Sequence, residues 1–538
     1  MSTALRAADI LAQRLYEAGC RHAFGMPGGE VLTLVDALEK AGIAFHLAKH
    51  ENAAGFMAEG VHHVDGAPAI LVATVGPGAM NGVNVVANAL QDRVPLMVLT
   101  GCVDADEALV YTHQVLDHQA VFAPLTKGTF RLTAGGADTI ADKAVSLAMA
   151  ARQGPVHIDV PISVADAPAA VPVARRLKPA SPVAPSGADL ARAREWLAAA
   201  ERPVAIIGLD VLRDGSACVL QAFLEHFSIP FVTTYKAKGV VNEAHDLCLG
   251  GAGLSPLADR HLVPFIQQAD LVLCIGYDPI EMRPGWQEIW DPDRQRVIDI
   301  AAVANDHYMH QAGLNFVADT GATLEALAQD LRSGETWTGY EVASLKAALA
   351  EAFPQDDTWG PAAVIAEARA VLPKGTRATA DSGAHRILLS QMWQCDSPKG
   401  LVQSSALCTM GCAVPLAIGL KLAQDSAPVV SFSGDAGFLM VAGEMASALE
   451  LGTPVIFVVF VDASLALIEL KQRQRQMSNR GVDFARHDYA AMGRAFGGNG
   501  HRVTNREELR AALEAALQAD TFTVIAAEIE REGYDGRI

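Results

Sequence analysis

The stretch from Ser431 to Gln472 constrains the chain most. The apolar segment PVVSFSGD reads as a buried strand running into a turn at Gly434, Asp435, Ala436 and Gly437. A helical segment, GEMASALELG, follows, and then a second apolar strand, PVIFVVFVD, ending at Asp462. Two strands joined by one helical crossover pair in parallel, and ligands bind outside the carboxyl ends of such strands. Asp435 and Asp462 both fall at that edge. Small residues around Asp435 let backbone N–H groups approach an anion, and a carboxylate there suits a hard cation such as Mg2+ bridging to a phosphate. On these residues alone, a plain βαβ unit with acidic loop ends is an equally good reading.

The rest of the chain repeats the strand-and-helix alternation. With 538 residues there is room for about three domains of ordinary size. Residues 1–165 contain FGMPGGE (24–30), AFHLAKHENAAGFMAEG (44–60), a strand–turn–helix–strand run at 67–101, and GPVHIDVPISV (154–164) as a last strand. A Pro- and Ala-rich linker at about 166–187 precedes a second α/β unit, 186–335, with strands PVAIIGL, PFVTTY, ADLVLCIGY and QRVIDI. A charged helical connector near 336–352 leads into a third unit, 353–538, with strands TRATADSG, PVVSFSGD, PVIFVVFVD and TVIAAEI. The expected fold is α/β: three doubly wound parallel-sheet domains without detectable sequence repeats.

Composition narrows the partners. The net charge of −19 argues against nucleic acid or an anionic membrane surface. No apolar run reaches the roughly 18 residues of a membrane span, and the amphipathic N-terminus is not a signal peptide, so a cytoplasmic protein is expected. The eight cysteines form no metal-like CxxC pair, and Cys408 and Cys412 read as core rather than redox residues.

Taken together, these motifs resemble the thiamine diphosphate-dependent enzymes over essentially the whole length. In that family Gly-Asp-(Gly/Ala) is followed about 27 residues later by Asn or Asp, the spacing of Asp435 and Asp462 here. KHENAAGFMAEG resembles the segment carrying the family's near-universal acid, and FGMPGGE and TVGPGAMN resemble the substrate-side and pyrimidine-side turns. LCTMG resembles the loop that buttresses the folded cofactor. THQVLDHQAVFAPLTK (112–127), GYDPIE (276–281) and the Asp at position 462 are most similar to the catabolic, flavin-independent acetolactate synthases.

The resemblance implies roles for individual residues. Asp435, Asp462 and the Ser464 carbonyl would ligate Mg2+. Glu51 would face the pyrimidine N1′ and favour the imino tautomer that removes the thiazolium C2 proton. Met410 would enforce the V shape of the cofactor, and the Cys408 carbonyl would accept from its amino group. Pro77 and Asn81 would line the pyrimidine. Ser382, Gly383, His385, Gly434, Ala436 and Gly437 would surround the diphosphate, with Leu465, Leu467 and Ile468 lining the segment after Asp462. His385 also reads as a satisfied core histidine. The family places the pyrimidine end on one subunit and the diphosphate end on another, which implies a homodimer or homotetramer. No FAD is expected.

Departures from the family pattern bear on the reaction. Once a 2-oxo acid has lost CO2, protonation releases an aldehyde, whereas attack on a second carbonyl makes a C–C bond. Simple 2-oxo acid decarboxylases carry an Asp in the FGMPGG turn and a His-His pair. Here those positions are Gly29 and His113-Gln114, which leans toward carboligation by an acetolactate synthase-type enzyme. Aldehyde release, as by a decarboxylase or C–C lyase, is the alternative, and retained His113 supports it. The catabolic synthases carry Lys where this chain has Glu30, and Tyr and Met where it has Leu465 and Leu467. These changes point to an aldehyde acceptor, or to a larger or less acidic donor.

Overall fold

The computed structural model describes residues 5–169, 176, 178, 180–305, 307–355, 358–423 and 426–538. Each of the long Val/Ile-rich runs is a strand buried along its length, as in Ala69–Ala73, Leu96–Cys102 and Ile456–Val461. Continuous burial demands cover on both faces, which parallel sheets obtain from their crossover helices. Three six-stranded parallel sheets result.

In the first sheet the spatial order is Ala44–Leu47, His22–Met26, Ala69–Ala73, Leu96–Cys102, Val156–Pro161, Thr129–Arg131. The third sheet runs Leu401–Gln403, Arg377–Ala380, Val429–Gly434, Ile456–Val461, Thr523–Glu528, Asn499–Val503. Numbered by their sequence within each domain, both follow the order 2-1-3-4-6-5. The middle sheet, from Cys248–Gly251 through Pro203–Ile207 to Leu314–Val317, instead follows 3-2-1-4-5-6. So the outer domains share one topology that their sequences do not reveal as a repeat.

Several expectations change in detail. GPVHIDVPISV is a strand only over Val156–Pro161; Ile162–Asp166 turns helical, and Thr129–Arg131 forms the sheet edge beyond it. The expected turn at Gly434–Gly437 is the first turn of a short helix, Asp435–Met440, because Gly434 ends the strand in an extended conformation that caps it. A separate helix, Glu444–Glu450, follows. Much of the linker (170–175, 177 and 179) lies outside the described residues.

The first and third domains are joined by two helices, Glu51–Asp65 and Ala413–Ala423, packed at very close range. A Cβ on Gly419 would meet the Met57 carbonyl oxygen at 1.9 Å, and one on Gly60 would meet the Leu416 carbonyl oxygen at 2.4 Å. Glycine at both positions therefore sets the helix separation. Phe56, Met57, Leu416 and Ile418 belong to one apolar core running through both domains. The first residue of one of these helices is Glu51.

Candidate active site

The third sheet places Val429–Gly434 beside Ile456–Val461, with Gly434 opposite Phe460. Asp435 and Asp462 consequently leave the carboxyl ends of neighbouring strands. One Asp435 oxygen, Oδ2, accepts from the Ala463 N–H at 2.7 Å and the Asp462 N–H at 3.2 Å, while Oδ1 accepts from the Ala436 N–H at 2.9 Å. Asp462 Oδ1 accepts from the Ser464 N–H at 3.1 Å. Ala463 holds a positive φ of 59° that turns the chain back toward Asp435.

Both carboxylates are buried, at 2% and 6% exposure, and neither has an ion-pair partner among the described residues. Burial raises both above the usual carboxylate range; the charge of Asp435 raises Asp462 further, and backbone N–H groups oppose the shift at Asp435. Two carboxylates without a counter-charge, made of hard oxygen donors, fit a divalent cation such as Mg2+.

They open into a cavity of ≈ 120 Å³. Ser382, Gly383 and His385 form one wall, and Gly434, Ala436 and Gly437 the backbone-rich floor. Met410, Ser464, Leu465, Leu467 and Ile468 also line it. A Cβ on Gly437 would meet Asp381 Oδ2 at 1.9 Å, so the floor admits only glycine there. His385 answers to both readings made from the sequence: it is buried and bonded to Asp381 Oδ1 through Nε2 at 2.9 Å, and it also lines the cavity.

Cys408 does not line this cavity. It adopts a φ of 58°, and its Sγ accepts from Arg386 Nη2 at 3.1 Å beside a larger cavity of ≈ 630 Å³. That larger cavity shares Ser382, Gly383, Leu467 and Ile468 with the first, so the two adjoin. Leu254, Met282 and Ile387 give it aliphatic walls.

The acid end assembles at the corresponding edge of the first sheet. Glu51 begins its helix, capped by His50, whose Nδ1 accepts from the Asn52 N–H at 3.1 Å. Glu51 is 4% exposed, and its Oε2 accepts from Asn81 Nδ2 at 2.9 Å. A Cβ on Gly78 would stand 3.0 Å from Glu51 Oε1, which keeps the Pro77–Gly78 turn against the acid. Thr74 Oγ1 donates to Glu30 Oε2 at 2.6 Å, bringing Glu30 to the same turn. Gly29 and His113 are exposed, with His113 edge-on to Tyr111. Gln114, at a φ of 59°, lays its backbone oxygen over Gly76.

Three further groups support these ends, and the sequence reading did not single them out. Asp381 ties His385 to the Met410 loop, because its Oδ2 accepts from the Gly411 N–H at 2.7 Å. Asp159 accepts from Thr100 Oγ1 at 2.8 Å and from His118 Nδ1 at 3.0 Å, while the Gly76 N–H donates to His118 Nε2 at 3.2 Å. Burial opposes ionisation of Asp159, but hydrogen bonds from His118, His157 and Thr100 hold its carboxyl well below the usual range. The side chains of His118, His157 and Asp159 lie close enough to share a cation. The Gly76 N–H nevertheless fixes the proton of His118 on Nδ1, which leaves that nitrogen no lone pair for a metal. The spacing His157-x-Asp159 puts both side chains on one strand face, the one local signal the sequence offered. Pairing with His118 is invisible in it.

The two ends do not meet in one cavity: the cavity at Asp435 is lined by none of Glu51, Pro77, Asn81, His113 or Gln114.

Comparison with known proteins agrees with this geometry. The N-terminal TPP binding domain of thiamine pyrophosphate enzymes matches residues 5–121, the central domain matches 190–327, and the C-terminal TPP binding domain matches 381–527. An acetolactate synthase of Bacillus subtilis (strain 168) is 29% identical over 535 residues, 98% of this chain and 93% of the relative. A catabolic acetolactate synthase of Raoultella terrigena is 27% identical over 540 residues, 97% and 95% of the two chains. The large subunit of acetolactate synthase isozyme 1 of Escherichia coli (strain K12) is 28% identical over 541 residues, 98% and 94%.

Proposed function

Because the chain belongs to the thiamine pyrophosphate enzymes, with acetolactate synthase-like relatives along its length, we propose that it is a thiamine diphosphate- and Mg2+-dependent carboligase. It would decarboxylate pyruvate or a similar 2-oxo acid and transfer the acyl unit to an acceptor carbonyl. One observation carries this reading: two buried carboxylates, lacking a counter-charge, leave adjacent strand ends beside a glycine-floored cavity.

Asp435, Asp462 and the Ser464 carbonyl would hold Mg2+, and Ser382, Gly383 and His385 would bound the diphosphate. When bound, thiamine diphosphate would supply a carbon nucleophile and an electron sink for decarboxylation of the 2-oxo acid. Glu51 would hold the proton at the pyrimidine N1′, with Asn81 fixing which carboxylate oxygen faces away. Met410 would press the cofactor into its bent shape. The adjoining aliphatic cavity would admit donor and acceptor while excluding water, which favours ligation over protonation.

Separation of the two ends supports a site completed between subunits, in a homodimer or homotetramer of the cytoplasm. No helix among the described residues is long and apolar enough to cross a membrane. A flavin-free protein is part of the reading, and a bound-flavin absorption spectrum would contradict it.

A second reading rests on Glu30. Its half-buried carboxylate sits on Thr74 beside the Gly76–Pro77 turn, where a proton donor would favour aldehyde release. Product analysis with pyruvate, thiamine diphosphate and Mg2+, with and without added aldehydes, separates the two. Acetolactate or a mixed acyloin is expected. Acetaldehyde as the sole product, suppressed by Glu30→Gln, would replace the carboligase with a decarboxylase.

A further inference from the structure

A different cavity, of ≈ 230 Å³, lies where all three domains meet, lined by none of the residues of the Asp435 cavity or the acid end. Its lining includes five Lys or Arg side chains against two Asp, in a chain whose total charge is −19. Some of these cations are already engaged: Arg93 and Arg152 turn to Asp278, and Lys236 pairs with Asp92 at 3.1 Å. Lys399 has no hydrogen-bond or ion-pair partner among the described residues, and Arg213 Nη1 is buried without one. Burial, and then the nearby charge of Arg377, lowers the Lys399 ammonium below its ordinary range.

Two neutral groups face the same space. Gln403 is 2% exposed, and among the described residues both its amide nitrogen and its amide oxygen lack a partner. His63 Nε2 bonds Glu59 Oε1 at 3.2 Å, while its buried Nδ1 has no partner. Burial, and then Lys399 and Lys236, keep this imidazole neutral, so with Nε2–H donated to ionised Glu59, above about pH 7, Nδ1 is an acceptor. A buried amide and a buried guanidinium nitrogen without partners are each costly to leave unsatisfied. Together they describe a complement: oxyanion oxygens for Lys399, Arg213 and the Gln403 amide N–H, and a donor O–H for Gln403 Oε1 and His63 Nδ1.

We propose that this three-domain junction binds a small phosphomonoester carrying a free hydroxyl. Such a ligand touches His63 of the first domain, Arg213 of the middle domain, and Lys399 and Gln403 of the third, and so ties their relative positions together. Inorganic phosphate satisfies only the cationic half, and an uncharged polyol only the acceptor half.

The test uses the holoenzyme, loaded with thiamine diphosphate and Mg2+ so that the Asp435 cavity is filled. It is titrated calorimetrically with glycerol 3-phosphate, inorganic phosphate and glycerol. Glycerol 3-phosphate is expected to bind, inorganic phosphate about tenfold more weakly, and glycerol not at all; Lys399→Met and Gln403→Leu should each weaken glycerol 3-phosphate about tenfold or more. Ligand-free Lys399→Met should melt no lower than the parent, since it removes an uncompensated charge, yet lose the rise in melting temperature that the ligand gives. No binding at millimolar glycerol 3-phosphate would overturn the proposal. So would affinity unchanged by both substitutions, or affinity lost in Asp435→Asn, which would move the binding to the catalytic cavity.

Discussion

Glu51 and Glu59 lie eight positions apart on one helix and illustrate two uses of a buried acid. Among the described residues Glu51 has a single side-chain donor, Asn81, and it faces the glycine turn. Glu51→Gln should still bind thiamine diphosphate and Mg2+ but slow exchange of the cofactor's C2 proton by roughly 100-fold or more. Exchange at the parent rate, followed by NMR in D2O, would remove Glu51 from its role.

Glu59 is fully enclosed between domains, with Asn88 Nδ2 at 3.1 Å and His63 Nε2 at 3.2 Å on its two oxygens. Burial pushes its carboxyl up to about 7, against the opposing pull of Lys236 and Asn88. A carboxyl raised in the folded state holds a proton that the unfolded chain has released, so its contribution is complete at low pH and is lost as pH rises through about 7. Stability should therefore fall from about pH 4.5 to about 7 and level off above it, and Glu59→Gln should flatten that slope and stabilise the protein at pH 8 by roughly 1–3 kcal/mol. A slope unchanged in Glu59→Gln would assign it to another group.

At the scale of elements, the pair of helices Glu51–Asp65 and Ala413–Ala423 sets the position of the acid. A methyl on Gly419 cannot fit against the Met57 carbonyl without moving backbone. Gly419→Ala should lower stability by roughly 1–3 kcal/mol or more and slow C2 exchange, because the helix carrying Glu51 must shift. Gly135→Ala, whose methyl meets nothing within 4 Å, should leave both unchanged. Equal melting temperatures for the two variants would contradict the packing account.

Elements with long apolar runs were legible in the sequence because burial on both faces leaves a continuous hydrophobic signature. Of the edge strands, Ala44–Leu47 was legible as a short strand before its helix, and others were not. Thr129–Arg131, Cys248–Gly251 and Leu401–Gln403 have three or four residues, too few for periodicity to register. The candidate site divides the same way. Asp435, Asp462 and Glu51 sit at strand or helix ends in recognisable local patterns, and the cavity gathers almost every residue expected beside the first two. Asp381 and the His118–Asp159 pair escaped notice because their partners come from other strands and loops. Cys408, expected to act through its carbonyl, lines the neighbouring cavity that adjoins this one.

For the whole molecule, the outer domains share the strand order 2-1-3-4-6-5, and each presents its chemical groups at the carboxyl edge of its own sheet. One carries the buried Glu51, the other the paired carboxylates Asp435 and Asp462. In the proposed enzyme one thiamine diphosphate would lie between Glu51 of one subunit and Asp435 and Asp462 of another. Mixing the inactive variants Glu51→Gln and Asp435→Asn under conditions of subunit exchange tests it directly. Half of randomly formed dimers are then mixed, and one of the two sites in each carries neither substitution, so acetolactate formation should recover to about one quarter of the parent rate. Activity no greater than that of either variant alone, in a mixture shown to contain mixed dimers, would contradict the account.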